Sequence, residues 1–210
     1  FFFEAEAFDD EGSLQQPVEQ SLNKMGHAMH DLDPVFEAFS RHRKIAALVD
    51  SLGFDDPGLL QSMYIFKPPR IGGEVGFHQD STFLYTEPES CIGLWFALED
   101  ATVQNGCMQF LRGAHKEALK QINRRQADGT FAIETLDSSP WDEGRRALAE
   151  APAGTVVIFD GRVPHMSDHN FSERSRHAYT LHVIEKSSNY PKENWLQRGP
   201  DLPLRGFEAS

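Results

Sequence analysis

The sequence predicts a mainly β chain, a two-sheet β-sandwich or jelly roll preceded by one helix. Three observations carry this. Six apolar runs have strand length: LLQSMYIF (59–66), EVGFHQD (74–80), CIGLWFAL (91–98), CMQFL (107–111), GTVVIFD (154–160) and HAYTLHVIE (177–185). Turn residues separate them. One long stretch, from Asp33 to Gly53, carries clear helical spacing, and no internal repeat or low-complexity tract offers another architecture.

In chain order, the Phe-rich start alternates partly over residues 1–8 and can pair as an edge strand, and Asp9-Asp10-Glu11-Gly12 is a turn. Residues 15–30 show little periodicity; Lys24, His27 and His30 have chemistry suited to a pocket edge, although exposed polar side chains account for them equally well. Asp33 can cap a helix with Pro34 at its first position, and Val35, Phe36, Phe39, Ile45, Leu48, Val49 and Leu52 recur near helical spacing until Gly53. Arg41, His42, Arg43 and Lys44 read as its wet face. Beyond, the period becomes that of strands. Pro68-Pro69 and Gly72-Gly73 mark the first connection, and Asn105-Gly106 is a hairpin-turn dipeptide. Residues 113–150 are polar and read as a long insertion or lid with one short helix around 115–126. The tail from Lys186, with Trp195, Pro200 and Pro203, is expected to wrap the surface.

Bulk composition bounds the partners. At 210 residues the chain is expected to form one domain, residues 1–210. Its net charge of −12 argues against nucleic acid, which needs an excess of Lys and Arg. Two cysteines are too few for a disulfide framework, so reduced thiols in a cytoplasmic protein are the simpler expectation. The sequence does not open on Met, so a targeting signal upstream stays open; the closing Phe-Glu-Ala-Ser is not a peroxisomal address. No apolar stretch approaches the roughly 18 residues of a membrane span.

The chemistry concentrates at His78-Gln79-Asp80. Side chains at i and i+2 of a strand share a face, so an imidazole and a carboxylate stand side by side while Gln79 points away. His165 follows VVIFDGRVP, where a strand ends in a Gly/Pro turn. Two histidines and one carboxylate on one face of an octahedron leave three positions open, the arrangement of non-heme Fe(II) oxygenases. HxD alone is a common tripeptide, and His115, His169, His177 and His182 are other candidates for the third ligand; His182 also reads as a core or pocket histidine. Arg176, eleven residues after His165, raises the case for His165, because a guanidinium can clamp the far end of a metal-chelating dicarboxylate.

HQDSTFLYTEP, NGCMQFLRGAH, PHMSDHN and RSRHAYTLH together resemble the phytanoyl-CoA dioxygenase family, and the resemblance runs from the Phe-rich start through ENWLQ. It implies a double-stranded β-helix (jelly roll, cupin-like) with flanking helices, and an Fe(II)- and 2-oxoglutarate-dependent dioxygenase. Carried over, His78, Asp80 and His165 look like the iron ligands and Arg176, helped by Ser167, like the clamp on the distal 2-oxoglutarate carboxylate. Lys24, Met63 and Trp95 match further cosubstrate contacts, although by pattern alone Met63 and Trp95 read as core. The family's N-terminal helix and strand have no counterpart in these residues, so the N-terminal part of the family domain is expected to lie outside them. The usual Pro-Gly-Ser-His reads Arg112-Gly113-Ala114-His115.

The implied reaction uses O2 and decarboxylates 2-oxoglutarate to succinate while hydroxylating an unidentified small molecule. Asp80 argues against a halogenating relative, in which a small residue replaces the carboxylate. Two alternatives stay open: a cupin-like metalloenzyme without 2-oxoglutarate, and a non-catalytic protein that binds 2-oxoglutarate or another metabolite. Specificity is expected in 113–150 and around Trp195, from loop position.

Overall fold

A computed structural model describes residues 1–208, so the last two residues of the closing Phe-Glu-Ala-Ser lie outside it. Among the described residues twelve strands form: β1 (Phe2–Phe3), β2 (Leu22–His27), β3 (Pro57–Ile65), β4 (Val75–His78), β5 (Ile92–Ala97), β6 (Met108–Leu111), β7 (Gln121–Arg125), β8 (Phe131–Thr135), β9 (Arg146–Ala149), β10 (Val156–Asp160), β11 (His165–Ser167) and β12 (Ala178–Glu185). One sheet has the order β1-β2-β3-β12-β5-β10 and a second β4-β11-β6-β9, with β7 and β8 as a separate ribbon. All described pairings between these strands are antiparallel. The mainly β expectation holds, and the jelly-roll layout follows from strands that alternate between the sheets.

β12 is buried along nearly its whole length and pairs on both sides, with β3 and β5, which is why its apolar run is continuous rather than alternating. One of its faces packs Tyr179, Leu181 and Val183 with Leu59 and Leu94 under the helices, whose Ile45 and Val49 complete that core. Its other face, through Thr180 and His182, looks toward the second sheet and lines a cavity.

The helical segment departs from the expected single helix. It is three pieces, α1 (Met29–Leu32), α2 (Pro34–Ser40) and α3 (Arg43–Ser51). Asp33 caps α2 as expected, accepting from the N–H groups of Val35 (2.9 Å) and Phe36 (3.2 Å). The chain breaks at Arg41-His42, and His42, read above as wet face, caps α3 by accepting from Lys44 N at 3.2 Å. Two caps nine residues apart bend the apolar stripe around the sheet. Gly53 ends α3 with φ +88°, a left-handed conformation that favours glycine.

The lid also differs. No α-helix forms near 115–126; a short 3-10 turn at Ala114–Lys116 leads into the β7–β8 ribbon, turned at Asp128-Gly129, and β9 then joins the second sheet. Arg124 pairs with Glu134 across the ribbon at 2.9 Å, and Lys120 N donates to the buried Gln79 side chain at 2.9 Å. Cross-strand and tertiary partners thus override a local helix pattern. Asn105-Gly106 does turn, with Gly106 at φ +78°, but it joins strands of different sheets rather than a hairpin. Cys91 and Cys107 are free and buried, and no described helix is long and apolar enough to cross a membrane.

The tail wraps as expected, held by charge at one point. The Asp31 carboxylate, 1% exposed, receives Arg41 at 2.6 Å, Arg205 at 2.7 Å and Arg198. Burial alone would raise this carboxyl; His30 and the guanidinium groups of Arg205 and Arg41 instead hold it far below the usual carboxylate range. A depressed carboxyl contributes stability that is present above its unfolded value of about 3.9 and lost as pH falls through the folded one. Asp31→Ala, which strands buried guanidinium charge, is expected to lose about 3–5 kcal/mol at pH 7 in urea denaturation. The gap to wild type should narrow below pH 4.

Candidate metal centre and its cavity

β11 lies between β4 and β6, and the register sets His165 opposite both His78 and Phe110. Directly opposed residues point to the same face, so the two imidazoles stand with ring centroids 4.2 Å apart. β4 ends at His78, and Asp80 opens a 3-10 turn (Asp80–Thr82) rather than continuing the strand. Its carboxylate still returns to the same side. Asp80 Oδ1 lies 3.7 Å from His78 Nε2 and 3.7 Å from His165 Nε2. Ligand atoms at about 2.1 Å from one ion and at right angles are about 3 Å apart, so the set fits a metal with a modest inward movement. Among the described residues this is the only group of three or more such donors within reach of one ion.

Both imidazoles are prepared for coordination through Nε2. His78 Nδ1 lies 2.9 Å from the Gly76 carbonyl and His165 Nδ1 lies 3.1 Å from that of Val163. A carbonyl only accepts, so each Nδ1 carries the proton and each Nε2 keeps its lone pair. Burial, and then the neighbouring His78 ring, lowers His165 to about 4, so it is neutral at pH 7. Phe159 backs that ring at 4.7 Å. It has room because its register partner is Gly93, where a Cβ would stand 2.5 Å from the Phe159 ring.

The second sheet's partner supplies one more group. His182 Nε2 donates to Asp80 Oδ2 at 2.9 Å, leaving Oδ1 turned toward the two ligand nitrogens. Burial would raise the Asp80 carboxyl, but His182, His165 and His78 outweigh it and keep the group ionised. His182 is therefore a positioning residue rather than a third ligand. Its relation to Asp80 is invisible in the sequence because 102 residues separate them. Gln79 points away from the cluster, as strand alternation requires, and donates to Arg162 O at 2.7 Å while accepting from Lys120 N.

The cluster opens into a cavity of about 130 Å³ between the sheets. All five residues expected to meet the cosubstrate line it: Lys24, Met63, Trp95, Ser167 and Arg176. Met63, Thr180 and Trp95 form one cross-strand row on its floor. Lys24 carries its ammonium 5.5 Å from the Phe2 ring centroid. Arg176, 2% exposed, donates from Nε to Gly106 O at 3.2 Å and lies over Trp95 at 5.3 Å. Burial lowers it to about 10, still charged at neutral pH. Its Nη1 and the Trp95 Nε1–H have no hydrogen-bond partner among the described residues, although both are buried.

Two charged residues of the cavity escaped sequence reasoning: Lys67 and Glu4, both buried. The signal for Lys67 was present. Met63, Ile65 and Lys67 follow strand alternation, and all three face the cavity. His169 and His177 are engaged elsewhere, by the Arg70 carbonyl and by the Tyr64 hydroxyl at 2.9 Å, and His115 stands beside a separate groove. His182→Ala should weaken divalent-metal affinity by about 10–100-fold, measured by competition with a chromogenic chelator, while the fold persists by circular dichroism.

Comparison with known proteins places the chain. A family model for phytanoyl-CoA dioxygenase (PhyH) matches residues 1–178. Phytanoyl-CoA dioxygenase 1 of Oryza sativa subsp. japonica is 48% identical over 207 residues, covering 97% of this chain and 73% of that protein. Phytanoyl-CoA dioxygenase domain-containing protein 1 of Mus musculus is 44% identical over 208 residues, covering 97% and 72%. The fold is similar to that of EctD from S. alaskensis with bound Fe, with a TM-score of 0.68 at 20% identity over 99% of this chain and 72% of that one. The chain belongs to the phytanoyl-CoA dioxygenase family.

Proposed function

We propose that this dioxygenase hydroxylates a small organic molecule, with His78, Asp80 and His165 holding Fe(II) and the cavity beneath them holding 2-oxoglutarate. The observation that carries the reading is the pairing of a two-His, one-carboxylate cluster with buried, partnerless donors in one cavity. A cluster alone would serve a metalloenzyme of another kind. Partnerless Nη1 of Arg176 and Nε1 of Trp95 call for an anionic acceptor at the cavity's other end, which a dicarboxylate supplies.

When bound, Fe(II) and 2-oxoglutarate supply oxidative decarboxylation to succinate and carbon dioxide, coupled to insertion of one oxygen atom from O2 into a C–H bond. The chain's part is placement. The carbonyls of Gly76 and Val163 fix the imidazoles through Nδ1–H, and His182 holds one carboxylate oxygen so that the other faces the metal. Arg176 is fixed by the Gly106 carbonyl and the Trp95 face, and Ser167 lines the same cavity from β11. Met63, Trp95, Met108 and Phe159 surround the reacting region with apolar surface and exclude water.

The segment 113–150 braces the strand that carries the cluster. Trp141 packs against Phe77, one residue from His78, at 6.4 Å, while Lys120 and Arg146 lie over Trp141 and Phe77 at 5.0 and 5.3 Å. Neither Phe77 nor any residue of 113–150 lines the cavity, so these contacts support β4 from outside it. Asp80→Ala should abolish succinate formation from 2-oxoglutarate and reduce bound iron measured by elemental analysis. Succinate production at the wild-type rate would remove Asp80 from the site. Arg176→Ala should raise the 2-oxoglutarate KM by about 100-fold or more, the loss of a buried charge-assisted pair. A hydroxylase that did not use 2-oxoglutarate would be indifferent to that change.

A further inference from the structure

Lys67 is 2% exposed, lies in the same cavity as Arg176, and has no carboxylate within ion-pairing distance among the described residues. Its Nζ donates to Gly73 O at 2.7 Å and to Ser167 Oγ at 3.1 Å. An ammonium has three donors, so one is left. The backbone there is left-handed at φ +36°, unusual for a residue other than glycine, and the Lys67 carbonyl is fixed by Arg176 N (3.2 Å) and Asn170 Nδ2 (3.1 Å). Gly106 joins the two cations: its carbonyl accepts from Arg176 Nε, and a Cβ on it would collide with Lys67 Cε.

Two buried cations side by side repel, and neither forms an ion pair with a carboxylate among the described residues. A fold does not retain such an arrangement for stability; it calls for an anion that both can reach. We infer that Lys67 is a second cationic contact for the distal carboxylate of 2-oxoglutarate, acting with Arg176 across the Gly106 backbone that both touch. This rests on the cosubstrate reading above and adds to it a residue that selects for the ionised far end.

The same geometry gives a pH dependence. Burial first, and then Arg176, lowers Lys67 to about 7, against the pull of Glu4, Asp168 and Glu74, the charged groups around it. Glu4 approaches from the N-terminal segment, its Oε2 accepting from Gly73 N at 3.2 Å, and Asp168 follows Ser167 on the β11 side. A lysine lowered to about 7 carries its charge below neutrality and loses it as pH rises, so affinity for a carboxylate falls in that direction.

The test is anaerobic calorimetry of Fe(II)-loaded protein with 2-oxoglutarate and with 2-oxopentanoate, which lacks the distal carboxylate. Lys67→Met should weaken 2-oxoglutarate about tenfold or more at pH 6.5 and leave 2-oxopentanoate unchanged. Wild-type affinity for 2-oxoglutarate should fall about tenfold between pH 6.5 and 8.5, and Lys67→Arg, which keeps its charge, should remove that fall. Equal losses for both oxo acids would make Lys67 a packing residue and overturn the inference while the cosubstrate reading stood. A Lys67→Arg protein with the wild-type pH profile would do the same, and it serves where Lys67→Met does not fold. A wild-type protein that bound neither acid would overturn both.

Discussion

An imidazole coordinates through one nitrogen only if the other is committed elsewhere, and a carboxylate offers one oxygen cleanly only if its second is held. Here three hydrogen bonds meet those conditions: His78 to Gly76 O, His165 to Val163 O, and His182 to Asp80. The first two are local, made two residues away along the chain. The third crosses from β12 of the large sheet to the turn after β4 of the small one. Asp80 is therefore the point at which the two sheets are tied at the reacting end, and the spacing between them there is set by a bond rather than by packing alone. Phe159, admitted by Gly93, supplies the apolar contact that keeps His165 in line with it.

Charge is distributed around this tie in an uneven way. Away from the cavity, Asp31 gathers three guanidinium groups, and Glu37 is a second carboxylate for two of them, Arg41 and Arg205. Inside the cavity, Arg176 and Lys67 form no ion pair with a carboxylate among the described residues, and the buried acid Glu4 bonds a backbone N–H instead. Both arrangements bury cations, but only the first supplies its own carboxylates. The chain's net charge of −12 says nothing of this, because the relevant positive charge is local and inside.

Much of the site was legible because it is carried by strand alternation and by turns. HxD spacing, a histidine after a strand-ending Gly/Pro turn and an arginine at the next strand's entry all converge as expected, and the six strand runs lie within two residues of their observed ends. What was illegible depends on contacts across the sheets. His182 joins Asp80 over 102 residues, and no local pattern distinguishes it from a packed histidine. The break between α2 and α3 was missed because the apolar spacing continues through it; the His42 cap, not hydrophobicity, decides it. The helix expected near 115–126 failed for the opposite reason. Its local pattern is genuine, but Lys120 N is committed to Gln79, and Arg124 to Glu134 across the ribbon.

Gln79 shows how the tripeptide's middle residue serves the other two. Alternation sends it to the side opposite the metal cluster, where a polar side chain would be costly if left alone. It is 2% exposed, and both ends of its amide are used: one binds the carbonyl of Arg162, three residues before His165, and the other binds the N–H of Lys120 at the root of the lid. The residue between His78 and Asp80 thus ties the turn that leads to His165 and the segment that opens at Lys120 to the same strand end. One side chain joins these three pieces of chain, and it is free to do so because the period of a strand is two.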